Sequence, residues 1–216
     1  MTLEIKINNQ TFILHCSGAL YWVERRMLLA SDVHLGKISH FRKHGSALPE
    51  NAIFSNFKKL NSVLEYFKPE VICFLGDLFH STLNNEWTLF KQWTELTATP
   101  IILVAGNHDI ISHHKYEELG ITVVSELLVD KFLLTHHPEN RDSFYTLSGH
   151  IHPSIVLAGK GRQFLKLPCF FRMPDQMILP AFGEFTGSYV MDPGQDDRVY
   201  VITKQDVIEV NLDNQR

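Results

Sequence analysis

Ile101-Ile102-Leu103-Val104-Ala105-Gly106-Asn107-His108-Asp109 is the stretch that decides the fold. Its apolar run is too short for an ordinary helix and reads as a buried strand. Gly106 lets the backbone turn sharply as it leaves the sheet. Asn107, His108 and Asp109, side chains that can bind metal or move protons, follow at once. In open α/β sheets chemistry sits just past the carboxyl ends of strands. A site here requires other strand ends to converge on this one.

Upstream, two more apolar runs have the same form. Arg26–Ala30 ends in Ser31-Asp32-Val33-His34, and Val71–Leu75 ends in Gly76-Asp77. Between these runs lie helical patterns over Glu50–Phe67, with Ile53, Phe57, Leu60, Val63, Leu64 and Phe67 on one face, and over Asn85–Leu96. Pro49 suits the first turn of the former and Pro69 its end. Alternating strands and helices over residues 26–105 are the signature of a parallel sheet with crossover helices. Residues 3–7, 11–14 and 19–23 read as strands joined by polar turns, and Lys37–Pro49 as a loop or short broken helix. Downstream, a short helix is expected over His114–Leu119. Strands are expected at 122–124, 131–134, 144–147, 154–157, 163–167, 169–172, 198–202 and 207–210. No internal repeat or long linker appears. The expectation is one domain spanning 1–216, of α/β class: a layered β-sandwich flanked by helices, with the site at the carboxyl ends of the strands.

Two further strand ends carry histidine: Thr135-His136-His137-Pro138 and Gly149-His150-Ile151-His152-Pro153. Any one of the five punctuations could be an ordinary solvated turn; together they can share one rim of the sheet. His150 and His152, spaced i and i+2, point the same way on an extended segment. His136 and His137 would point opposite ways on one, so a single ligand is expected from that pair. Carboxylate, asparagine carbonyl and imidazole suit manganese, iron or zinc better than magnesium or calcium. Two ions roughly 3.5–4 Å apart can clamp both the attacking and leaving oxygens of a phosphoryl displacement. Lys37, Arg42 and Lys43 follow the first motif closely enough to contact phosphate, although a charged loop is usually only solvated.

The order DxH, GD, GNHD, strand-end His and GHxH resembles the calcineurin-like metallophosphoesterases over residues 32–152. That resemblance implies one metal held by Asp32, His34, Asp77 and His152, and a second held by Asp77, Asn107, His136 and His150. Asp77 would bridge, and His136 is favoured over His137. His108 would be the catalytic non-ligand that protonates the leaving oxygen or stabilises phosphoryl charge. Many relatives carry an acid after the GD pair; this chain has Leu78-Phe79-His80 instead. A narrower resemblance rests on residues 22–37 (Trp22 to Lys37), His40-Phe41-Arg42, Pro49 and Leu179-Pro180-Ala181-Phe182-Gly183-Glu184-Phe185-Thr186-Gly187. These are similar to the ligase-associated DNA damage response endonuclease family (PdeM-like). It implies a nuclease acting on DNA in repair, and association with a DNA ligase and a helicase.

Composition bounds these expectations. With 44% hydrophobic and 20% charged residues the chain has ordinary globular content. A net charge of −4 excludes the global positive field of a bulk nucleic-acid binder but leaves a local basic groove open. Lys160, Arg162, Lys166 and Arg172 fall in an acid-free stretch that could line such a groove, or be ordinary exposed strand faces. Cys16, Cys73 and Cys169 are scattered and odd in number, as expected of reduced thiols. No run approaches the ~18 apolar residues of a membrane span, and no signal-peptide pattern opens the sequence. The expected protein is cytoplasmic and uses two divalent ions, manganese first, with iron, zinc or nickel as alternatives. It would cleave a nucleic-acid or nucleotide phosphodiester by hydroxide attack on phosphorus. Its rivals are a phosphodiesterase for a small nucleotide or nucleotide-linked substrate, and a non-catalytic interaction module of the same fold.

Overall fold

The computed structural model describes residues 1–43, 45, 50–80, 82–159 and 161–211. The side chains of His40, Arg42, Lys43, Glu50 and Asn51 lie outside that description, as do His44, Pro49 and Lys160. Seven strands form the first sheet in chain order: β1 (Thr2–Ile7), β2 (Gln10–His15), β3 (Leu20–Trp22), β4 (Met27–Ala30), β5 (Val71–Leu75), β6 (Ile101–Val104) and β7 (Thr122–Val124). The first four are antiparallel; β4 to β7 are parallel, as the alternating pattern required. The crossovers carry α1 (Lys37–Lys43), α2 (Ser55–Phe67), α3 (Asn85–Leu96) and α4 (His113–Glu117). A 3-10 turn over Glu50–Phe54 precedes α2, so the regular helix starts later than its apolar face suggests.

The second sheet holds nine strands: β8 (Leu127–Val129), β9 (Phe132–Leu134), β10 (Tyr145–Ser148), β11 (Pro153–Gly159), β12 (Gln163–Arg172), β13 (Gln176–Ile178), β14 (Tyr189–Val190), β15 (Arg198–Ile202) and β16 (Val207–Val210). β12 runs unbroken through Pro168, which pairs opposite Ser154 where the strand leaves β11 for β13 and β15. A proline costs a ladder hydrogen bond, and a change of partner is where that loss matters least. β8, β13 and β14 were not expected; each has only two or three residues, too few to show alternation.

The sheets pack face to face. Phe12, Leu14, Trp22, Leu29, Cys73 and Leu75 of the first meet Phe132, Leu134, Tyr145, Leu147, Phe170, Met177 and Tyr200 of the second. The other face of the first sheet, with Leu28, Ile72, Phe74 and Leu103, is covered by Phe57, Leu60 and Val63 of α2 and Phe90 and Trp93 of α3. Among the described residues the outer face of the second sheet carries no helix; loop residues Ile151, Met173 and Met191 cover a smaller cluster there. Strands β4, β5 and β6 are thus buried on both faces, which is why their sequences are continuous apolar runs.

Trp22 joins the sheets. It is fully buried, its ring centroid lies 5.1 Å from that of Phe12 and 4.7 Å from that of Phe132, and its Nε1–H donates to Gln10 Oε1 at 2.9 Å. Trp22→Ala should therefore cost about 3–5 kcal/mol, as large-to-small core changes do. Urea denaturation checks this: the midpoint should fall with little change in slope. A loss below about 1 kcal/mol, typical of surface positions, would mean the sheets are not clamped there.

Candidate metal centre

The five polar strand ends converge. Asp32 and His34 follow β4, Asp77 follows β5, Asn107 and His108 follow β6, His136 follows β9, and His150 and His152 follow β10. Backbone bonds weld the first two turns: Asp32 N–H donates to Gly76 O at 3.1 Å, and His34 N–H to Asp77 O at 2.9 Å. His150 N–H donates to Asp32 Oδ2 at 2.9 Å, and His108 N–H to Asp77 Oδ1 at 2.8 Å, tying the other loops to the same two carboxylates. Asp32, His34, Asp77 and His136 are buried.

Two imidazoles have their tautomers set by carbonyls, which can only accept. His136 Nδ1–H donates to Leu75 O and His152 Nδ1–H to Gly187 O, each at 3.0 Å. Their Nε2 lone pairs therefore point inward. His136 Nε2 faces Asn107 Oδ1 at 3.0 Å and Asp77 Oδ1 at 3.4 Å. His152 Nε2 faces Asp32 Oδ1 at 3.2 Å and His34 Nε2 at 3.4 Å. Asp32 Oδ1 is buried with no properly directed hydrogen bond despite that approach. Acceptors turned on acceptors in a buried site call for cations between them, and the donor set fits divalent metal. The ligand atoms of Asp32, His34 and His152 lie within 4.8 Å of one another, as do those of Asp32, Asp77 and His136.

Burial pushes the His34 imidazole down to about 3, against the pull of Asp32, which leaves it a neutral donor. Burial also opposes the charges on Asp32 and His152. With no cation between them, a proton on His152 Nε2 would take that place, so their contact prevails, lowering the carboxyl and raising the imidazole. Asp109 accepts from Gly106 N–H at 2.8 Å and Phe79 N–H at 3.1 Å, so it braces the loop. Burial raises its carboxyl to about 6.

His137 departs from the expected alternation. The strand ends at Leu134, Thr135 Oγ1–H caps His137 O at 2.8 Å, and the turn brings the exposed His137 ring to 4.1 Å from His150. Its ligand atom lies within 4.8 Å of those of His136 and His150. His108 is exposed, with its ring 5.7 Å from that of His34; His80 lies 5.3 Å from both rings. Lys37 opens α1 beside the site, and burial lowers its ammonium. Arg42 belongs to α1, but its side chain lies outside the described residues.

Sequence reasoning missed several supporting groups. Buried Glu86 accepts from Gly36 N–H at 2.6 Å and from Ser39 N–H and Oγ–H, fixing the turn after His34. Buried Asn56 donates to Val33 O at 3.1 Å and accepts from Glu184 N–H at 3.0 Å. Lys59 Nζ donates to Phe182 O at 2.6 Å. Only the Leu179–Gly187 motif hinted at this layer: Phe182 N–H donates to Ser31 O and Gly183 N–H to Asp32 O.

Fold and site together define a metal-dependent phosphoesterase. A model of the calcineurin-like phosphoesterase family matches residues 25–176, and the chain belongs to that family. It is similar to the crystal structure of Pseudomonas putida nuclease MPE, with 28% identity and a TM-score of 0.80 over 97% of this chain and all of that one. This agrees with the narrower resemblance in the sequence. Over 50 residues, 23% of the chain, it is 36% identical to a probable glycerophosphodiester phosphodiesterase GpdQ of Arcobacter nitrofigilis; the match spans 18% of that relative's length.

A side chain at Gly106 would not fit, because its Cβ would lie 2.3 Å from Asp77 Oδ1 and 2.4 Å from Asp77 N. Gly106→Ala must displace that carboxylate. Bound divalent metal, read by elemental analysis of the purified protein, should fall well below the wild-type content while the far-ultraviolet dichroism is retained. An unchanged metal content would show that Asp77 is not a ligand held by this contact.

Proposed function

We propose that the chain is a dinuclear metal-dependent phosphodiesterase acting on nucleic acid, an endonuclease of DNA repair. The observation that carries the dinuclear reading is the division of Asp77: Oδ1 faces His136 at 3.4 Å and Oδ2 faces His34 at 3.9 Å, so one carboxylate can serve two donor sets; the similarity to a nuclease supports the substrate. Asp32, His34, Asp77 and His152 would hold one ion, and Asp77, Asn107, His136 and His150 the other. Manganese leads for a mixed oxygen and nitrogen set, with iron, zinc or nickel as alternatives. Bound divalent ions supply the acidification of water and the charge neutralisation that phosphoryl displacement needs.

The chain's own residues do the rest. His108, held by its backbone to Asp77 and free of the inward ligand cluster, gives a proton or a hydrogen bond to the departing oxygen. Lys37 draws the phosphodiester toward the site. Strands from Ile7 to Val207 contribute to one core, which supports a single domain over 1–216. The free thiols of Cys16, Cys73 and Cys169 support a cytoplasmic setting. Association with a DNA ligase and a helicase rests on the family resemblance alone. Among the described residues no helix is long and apolar enough to cross a membrane. The net charge of −4 favours a second reading, hydrolysis of a small nucleotide diester. The non-catalytic reading is disfavoured by a donor set that is complete.

A manganese-supplemented panel of single-stranded, nicked, duplex and closed-circular DNA beside an aryl phosphodiester tests the reading. Opening of circles marks endonuclease action; turnover of the aryl ester with every oligonucleotide intact at low salt would favour the small-substrate reading. Asp77→Ala should lose metal and activity together.

His108→Ala separates the roles further. It should keep wild-type metal content and thermal midpoint yet lose about 10²–10⁴-fold in kcat, the range for a general acid. Loss of metal in that variant would make His108 a ligand.

A further inference from the structure

The motif Leu179–Gly187 contains no candidate ligand, yet it wraps the Asp32 side of the centre. Ser31 bridges to Ala181, Gly183 N–H donates to Asp32 O at 3.1 Å, and a Cβ on Gly183 would lie 2.1 Å from Val33 O. Four residues on, Gly187 O receives the Nδ1–H of His152. Thr186 Oγ1–H donates back to Gly183 O at 3.1 Å, closing the turn on itself. Every part of the turn so described supports the site from behind, with one exception.

Phe185 stands at the apex. It is 47% exposed, it belongs to none of the three apolar clusters, and its φ of +62° is left-handed. A bulky residue in that region costs about 1 kcal/mol or more and persists only where its surroundings impose it. Anchors on both sides impose it here. The chain thus leaves about half of a large aromatic side chain in solvent, two residues from Gly183, which is bonded to Asp32, and two from Gly187, which is bonded to His152. Lys37 begins the helix that leaves the first ligand turn: its N–H donates to His34 O at 3.3 Å, and its Nζ lies 5.9 Å from the centre of the Phe41 ring. A phosphodiester at the metal centre, a cation beside it and a flat aromatic face at the rim match the parts of a nucleotide in a chain.

We propose that Phe185 is a stacking platform for an unpaired base of the nucleic-acid strand whose scissile phosphate occupies the metal centre, with Lys37 contacting the phosphate backbone. The assignment rests on the nuclease reading above. An unpaired base is required because a duplex hides its base faces within its own stack. Stacking tolerates any base, so the platform selects strand state rather than sequence.

The test is steady-state kinetics on the manganese-loaded full chain, wild type against Phe185→Ala, Phe185→Tyr and Phe185→Trp. Substrates are a single-stranded oligonucleotide, the same strand with its bases removed around the cleavage position, and a small aryl phosphodiester. Phe185→Ala should raise KM for the intact strand about tenfold and leave aryl-ester turnover and the thermal midpoint unchanged. Tyrosine and tryptophan should restore the wild-type KM. On the base-free strand, wild type and Phe185→Ala should coincide.

Three results would overturn the platform while leaving the nuclease reading intact. These are an unchanged KM for the intact strand, an equal loss on every substrate, and a KM change that persists on the base-free strand. If the wild type hydrolyses the aryl ester but cleaves no oligonucleotide, the nuclease reading itself fails and the platform falls with it.

Discussion

The centre depends on backbone that L-residues avoid. Asp32, His34, Asp77, His150 and His152, five of the seven candidate ligands, have φ between +50° and +70°. Left-handed geometry costs each of them about 1 kcal/mol or more. A chain leaving a strand in this conformation reverses at once, which keeps the side chain at the sheet rim. The cost is met by hydrogen bonds that run between loops: Asp32 to Gly76, His34 to Asp77, His150 to the Asp32 carboxylate, Tyr189 to His152 O. Each of these turns is thus hydrogen-bonded to chain from another loop.

The order of the strands comes from burial. Strands β4, β5 and β6 lie between a sandwich core and a helical layer, and their adjacency places Asp32, Asp77 and Asn107 at one edge. The second sheet then delivers His136 and His150 from β9 and β10, which pair in parallel, so both histidines leave in the same direction. A parallel pair is what makes two strand ends meet at one rim.

The parts legible in the sequence were those with a local signature. Apolar runs stopped by Gly76 or Gly106 announced two strand ends, and a close approach excludes any Cβ at both; at Gly76 it would lie 2.2 Å from His136 Nδ1. The parts that were illegible act at long range. Asn56 and Glu86 occupy ordinary helical positions, and nothing in α2 or α3 shows that their side chains reach Val33 O and Gly36 N–H. The opposite orientation expected of His136 and His137 does not hold, because alternation applies along a strand and the chain has already turned. Short strands such as β13 and β14 exist only through their neighbours, so no periodicity could reveal them.

The most instructive of these long-range contacts is the pair of carbonyls behind the imidazoles. Leu75 O fixes His136 and Gly187 O fixes His152, each by accepting an Nδ1–H that would otherwise be free to move to Nε2. A neutral imidazole with its proton on Nε2 cannot offer that nitrogen to a metal, so each bond removes the tautomer that would present the other nitrogen. One carbonyl comes from the central sheet strand and the other from a loop 35 residues beyond the histidine it serves. The candidate ligands are local motifs, but the tautomers of two of them are decided by carbonyls outside the ligand set. Replacing those motifs in another sheet would therefore reproduce the donors without reproducing the centre.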